Sequence, residues 1–205
     1  MNLLSAAIRC GFFLLAFFYA GCVTLERSYP DKRYFMIDVQ DGKGSNSDGS
    51  RVLSVPNLHI SPRYADRSFI YRTSETEYEA DFYNQFLSAP ATMISEELRQ
   101  ALAEAAPFKF VLGPSSSLPA NYVLEGSINL LYGDFRNFNA PAAVLEIELF
   151  LHNGDPAKTS LVMQKRYHRS VRLKERSPEA LVQGWNQALE QIVATFVADL
   201  NQHKL

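Results

Sequence analysis

From Tyr122 to Tyr132 the chain alternates: Tyr122, Leu124, Gly126, Ile128, Leu130 and Tyr132 interleave with Glu125, Ser127 and Asn129. Leu145, Ile147, Leu149 and Leu151 alternate in the same way with Glu146, Glu148 and His152. A third alternating run, Leu161 to Val171, is more basic, carrying Lys165, Arg166 and Arg169, with Arg172 just beyond it. A period of two puts one face of each strand on a core and the other in water, the habit of an antiparallel sheet. Asn153-Gly154-Asp155-Pro156 predicts the turn between the second run and the third.

Shorter strands precede these runs. Tyr34 to Val39, Arg51 to Ile60, Ser68 to Thr73, Glu77 to Phe86 and Phe108 to Leu112 read as strands, with Ser74-Glu75-Thr76 as a polar turn. Pro56 has no N–H for a ladder, so the second of them is expected at an edge or a bulge. Asp41 to Ser50 and Gly113 to Pro119 read as loops.

Two segments switch to helical spacing. Met93, Ile94, Leu98, Ala101, Leu102 and Ala105 recur at intervals of three and four after Pro90, and Pro107 ends the run. Leu181, Trp185, Leu189, Ile192, Phe196 and Leu200 do the same after Ser177, a good cap, and Pro178, a good first residue. The predicted fold is one α+β domain, a mainly antiparallel, mixed sheet carrying two amphipathic helices on one face.

Composition adds location. Arg9 is the only charge ahead of Glu26, Gly11 to Ala20 is apolar, and Ala20-Gly21 precedes Cys22. A basic start, a short apolar stretch and small residues at the end mark a secretory signal over residues 1–21. The apolar stretch is well short of the roughly 20 residues that span a bilayer. Residues 22–33, with Pro30, read as a polar tether, and residues 34–205 as the domain. Without Arg9 the 20 basic side chains fall to 19, against 22 acidic ones, so nothing points to nucleic acid. Of the two cysteines, Cys10 lies within the signal, which leaves Cys22 without a disulfide partner.

Cys22 directly after the small pair resembles a bacterial lipobox, although Tyr19 stands where an aliphatic residue is usual. The alternative is an ordinary export signal cleaved near Ala20 or Gly21, leaving a free thiol. The lipobox resemblance implies a diacylglycerol and an N-acyl chain on Cys22, and two or more chains anchor stably where one does not. Val23, in place of the Asp of inner-membrane retention, implies sorting to the outer membrane with its domain in the periplasm.

Catalytic signatures do not emerge. The sequence has no nucleophile elbow, phosphate loop or dinucleotide fingerprint. His59, His152, His168 and His203 lack ligand spacing, and a His152–His168 pair across strands would lack a third ligand, so no metal is expected. Asp66, Asp81 and Asp134 show no sign of perturbed carboxylates. Arg166, His168 and Arg172 on one face of the third run are expected to pair with Glu146 and Glu148 across the strands.

The unusual block is Tyr64 to Phe86, with seven aromatic residues: Tyr64, Phe69, Tyr71, Tyr78, Phe82, Tyr83 and Phe86. Arg67, Arg72, Asp81 and Asn84 interrupt them. Aromatic side chains with Arg are enriched at protein interfaces. Tyr64, Arg67, Tyr71, Arg72, Tyr78, Phe82, Tyr83 and Phe86 are therefore the candidate partner-binding residues.

The lipobox, Tyr34 in the first strand, Asp66-Arg67, Ile70-Tyr71-Arg72, and a strand running into a helix with Leu98 and Leu102 resemble the ABC-type transport auxiliary lipoproteins. This is the family of paraquat-inducible protein C, and the likeness covers nearly the whole chain after Cys22. It implies a fold like the N-terminal domain of TolB and a non-catalytic lipoprotein. The implied partners are a mammalian-cell-entry-domain periplasmic protein and its ABC permease complex, which together move phospholipid or other hydrophobic molecules between membranes. A homo-oligomer on a symmetric partner is a further expectation. The alternative is an envelope lipoprotein that assembles or stabilises a membrane complex without transport.

Overall fold

The computed structural model describes residues 31–39, 50–155 and 157–203. Within them the periodic segments become nine strands and two helices: β1 (Arg33–Phe35), β2 (Val52–Ser54), β3 (His59–Ile60), β4 (Ser68–Arg72), β5 (Tyr78–Phe86), α1 (Pro90–Ala105), β6 (Phe110–Leu112), β7 (Tyr122–Asp134), β8 (Ala142–Asn153), β9 (Leu161–Arg172) and α2 (Pro178–Gln202). Lys32–Leu205 forms one compact unit. The signal, Cys22 and most of the tether lie outside the described residues.

The three alternating runs form the sheet's longest ladders, β7 against β8 and β8 against β9, both antiparallel. Alternation divides their faces as expected. Leu145, Ile147, Leu149 and Leu151 are buried, while Glu146 and Glu148 face away. On that outer face Arg166 pairs with Glu148 at 3.1 Å and His168 with Glu146 at 3.2 Å. His152 lies opposite Leu161, and His168 opposite Glu146, so the two histidines do not meet.

The other edge of β7 is built differently. β2, β3 and β4 follow one another along it, all parallel, at Leu53↔Tyr122, His59↔Ser127 and Tyr71↔Gly133. The sheet is thus mixed: its parallel pairings outnumber the antiparallel ones five to three, although the antiparallel ladders are longer.

The expected single strand from Arg51 to Ile60 breaks at Pro56, and α1 repairs the break. Ser95 Oγ accepts from the Leu58 amide at 2.9 Å. Arg99, buried, donates to the Val55 carbonyl and to Asn57 Oδ1, each at 3.2 Å. Buried backbone polar groups need partners, and these side chains supply them.

Both helices cover the same face of the sheet. α2 starts with Ser177 Oγ accepting from the Ala180 amide at 3.1 Å. It crosses β8 closely at Gly184, where an added Cβ would sit 2.6 Å from that of Ala143. Trp185, fully buried, donates to the Val144 carbonyl at 3.3 Å. Around its ring stand Phe69 at 5.1 Å and Phe86 at 5.3 Å between centroids.

Candidate docking face

The aromatic block Tyr64–Phe86 divides among three environments. Phe69 and Phe86 point beneath α2, their rings 4.7 Å apart. Tyr64 and Tyr78 lie on the face away from the helices. There Tyr64 stacks on Tyr132 at 6.2 Å and Tyr78 meets the same ring edge-on at 5.8 Å. Phe82 and Tyr83 occupy a bulge of β5.

Two of the eight expected contact residues are thereby corrected. Tyr64 is 2% exposed and Phe86 1%, so neither can touch a partner. Closing the sheet against α2 consumed Phe86, and a one-turn 3-10 helix, Pro62–Tyr64, folded Tyr64 over Tyr132. The two arginines are engaged within the domain. Arg67 donates to the Phe86 carbonyl at 2.8 Å and lies over the Tyr34 ring at 5.1 Å. Arg72 donates to the Ser74 and Glu75 carbonyls and stacks on Tyr78 at 5.6 Å. They shape the face.

The bulge shows how the face is held. Ser68 pairs with Gln85 and Ile70 with Ala80, so Phe69 alone lies opposite the four residues 81–84. Such a bulge leaves backbone N–H groups without ladder partners and re-aims side chains. Asp81 answers for them: its carboxylate accepts from the amides of Tyr83 and Asn84 at 2.8 and 2.9 Å. It also accepts from Asn84 Nδ2 at 2.6 Å and from the Tyr71 hydroxyl at 2.7 Å. Burial opposes the charge on Asp81, but these hydrogen bonds outweigh it and lower the pKa below its ordinary 3.8. Burial first, and the bond to Asp81 second, push the Tyr71 hydroxyl well above its usual range, so it stays a donor.

The result is a fixed pedestal for Phe82, which is 64% exposed. Tyr83 packs edge-on against it at 5.2 Å, and Lys32 Nζ sits 4.1 Å from its ring centre. Tyr34, Met36 and Leu87 are exposed along the same margin, where β1 is the outermost strand. β1 covers only residues 84–86 of β5. Among the described residues the outer edge of β5 from Tyr78 to Tyr83 therefore has no strand beside it.

In the sequence Asp81 stood out only as an unperturbed carboxylate, with Asp66 and Asp134, and as an interruption of the aromatic run. The available signal was local: Asp followed two residues on by a free amide is the Asx-turn pattern. Asp134 is equally local, bonded to Arg136 at 2.9 and 2.6 Å, and its pKa is lowered chiefly by that contact. Asp81 and Asp134 thus serve separate loops.

The described residues thus form a mixed sheet with both helices on one face and an exposed aromatic flank along β5. The sequence model for the ABC-type transport auxiliary lipoprotein component matches residues 38–197, and the chain belongs to that family. No curated protein matches the chain. Among solved structures, a protein from Xanthomonas campestris is similar at 14% identity and a TM-score of 0.68, over 80% of this chain and 92% of that one. An uncharacterized protein is similar at 16% identity and a TM-score of 0.66, over 83% of this chain and 99% of the other. At these identities the likeness is one of fold.

Proposed function

We propose that this lipoprotein is the outer-membrane docking component of a lipid-transport assembly. Acyl chains on Cys22 hold it in the periplasmic leaflet, and the β5 flank receives a mammalian-cell-entry-domain protein that is coupled to an inner-membrane ABC permease. ATP is hydrolysed by another subunit. The observation that supports this reading is the preorganised Phe82: an apolar ring is kept in water by a bulge with its own hydrogen-bond support. Holding a contact residue in place before binding reduces the ordering cost of association. An exposed aromatic side chain flanked by Tyr83 and Lys32 suits the centre of an interface. Tyr71, Arg67 and Arg72 act behind it by fixing the bulge, the β1–β5 junction and the hairpin turn.

The test is recovery of partners from crosslinked envelopes. Phe82→Ala removes an exposed ring, so the domain should keep its stability while recovery of the mammalian-cell-entry protein falls about tenfold or more, the scale of an interface hot spot. Unchanged recovery with Phe82→Ala would sink the assignment of this flank. Absence of any such protein from the wild-type recovery would sink the transport reading itself. In parallel, Cys22→Ala should abolish labelling by a fatty-acid probe and release the protein from the membrane.

A further inference from the structure

Three loops close one end of the sheet: residues 73–77 between β4 and β5, 135–141 between β7 and β8, and 173–177 between β9 and α2. β1 starts toward this end too. It runs parallel to β5, and its first residue, Arg33, pairs with Glu179 in the first turn of α2. The chain therefore enters the folded unit near this end.

The end has an unusual surface. Phe138, at 74%, is the most exposed large apolar side chain among the described residues. It lines a cleft of about 650 Å³ with Arg172, Lys174 and Arg176, all three exposed. The ion pairs among the described residues involve none of these three cations. Glu175, the acidic residue of the cleft, accepts from Ser177 Oγ at 2.8 Å. The loop is also braced. Arg176 lies over Phe138 at 5.3 Å and Phe135 at 4.6 Å, and Phe135 stacks on Tyr71 at 4.9 Å. Arg172 donates to the Asn139 carbonyl at 3.0 Å.

We propose that this end is a bilayer-facing surface, with Phe138 entering the interfacial layer and Arg172, Lys174 and Arg176 meeting lipid phosphates. Exposed aromatic side chains settle at the headgroup level, and cations beside them are drawn to anionic lipid. Leu118, also exposed, lies at the far end of the sheet, just before β7. This inference rests on the acylation of Cys22 proposed above.

The experiment uses the full acylated chain in vesicles containing one part phosphatidylglycerol to three parts phosphatidylethanolamine, with bromine on the acyl chains as a quencher. Trp185 is buried and serves as a constant background. Phe138→Trp should be quenched strongly, and Leu118→Trp, at the far end, should not. The three cations should favour the anionic surface by about a hundredfold together, roughly fivefold each. Arg172→Gln, Lys174→Gln and Arg176→Gln combined should therefore return Phe138→Trp to the level of Leu118→Trp, as should vesicles of phosphatidylcholine alone. A labelled, vesicle-bound chain in which Phe138→Trp escapes quenching, or in which Leu118→Trp is quenched equally, overturns the bilayer-facing surface while leaving the anchor intact. Shielding of Phe138→Trp by an added envelope protein but not by vesicles overturns it in favour of a protein contact. A chain that carries no acyl label and stays off vesicles overturns the anchor and this surface together.

Discussion

Asp81→Ala isolates the pedestal under Phe82. The substitution removes four hydrogen bonds at once and leaves the Tyr83 and Asn84 amides and the Tyr71 hydroxyl without their acceptor. A buried bond to a charged group nets about 1.5–3 kcal/mol, and a capping carboxylate on backbone amides about 1 kcal/mol. Asp81 is half-buried and water competes for the same donors, so the sum is well below four full bonds, at about 3 kcal/mol. For a unit of this size that lowers Tm by about 6–12 °C. Asp81→Asn keeps one neutral acceptor for the amides and should lose about half as much.

The pH dependence fixes the cause. Asp81 has its pKa lowered in the folded state, below its ordinary 3.8. Its contribution is therefore complete above that value and is lost as pH falls through the folded-state pKa. The stability gap between the natural chain and Asp81→Asn, measured by urea unfolding, should stay level from neutral pH to about 5 and narrow in stronger acid. A loss under about 1 kcal/mol in Asp81→Ala, or a gap that widens in acid, would refute the reasoning. Partner recovery should drop in Asp81→Ala even at temperatures where the domain stays folded, because Phe82 is no longer held.

Gly184→Ala should destabilise by about 1–3 kcal/mol despite the better helix propensity of alanine, since its Cβ meets that of Ala143 across the α2–β8 contact. Adding Ala143→Gly should recover at least half of the loss in a double-mutant cycle of unfolding free energies, and additive losses would argue against this contact. Ser177→Ala should cost about 1 kcal/mol through the lost cap on Ala180 and show first as fraying of α2 in amide exchange.

How much of the fold was legible follows from the range of each signal. The β7, β8 and β9 ladders and the Arg166–Glu148 pairing were readable because period-two alternation and facing charges are properties of single strands. The Ser177 cap and Pro178 start were readable for the same reason. Pro56 was expected at an edge or a bulge of one strand, but the break there and its repair by Ser95 and Arg99 depend on α1 crossing the sheet. The aromatic block was readable as unusual. Its division was not, because Phe86 and Phe82 are chemically alike and differ only in which side of the bulge each occupies.

The sequence by itself determined the elements, their buried and wet faces, the family and, through Cys22, the expected anchor. These are encoded in spacings of two, three or four residues and in one short motif. Only the tertiary structure decided that β2, β3 and β4 line up parallel along a single edge of β7. It also decided that Tyr64 and Phe86 go inward while Phe82 stays out, and that Phe138 and three cations share the end where the chain enters. Those outcomes depend on contacts between residues tens of positions apart, which local periodicity does not record.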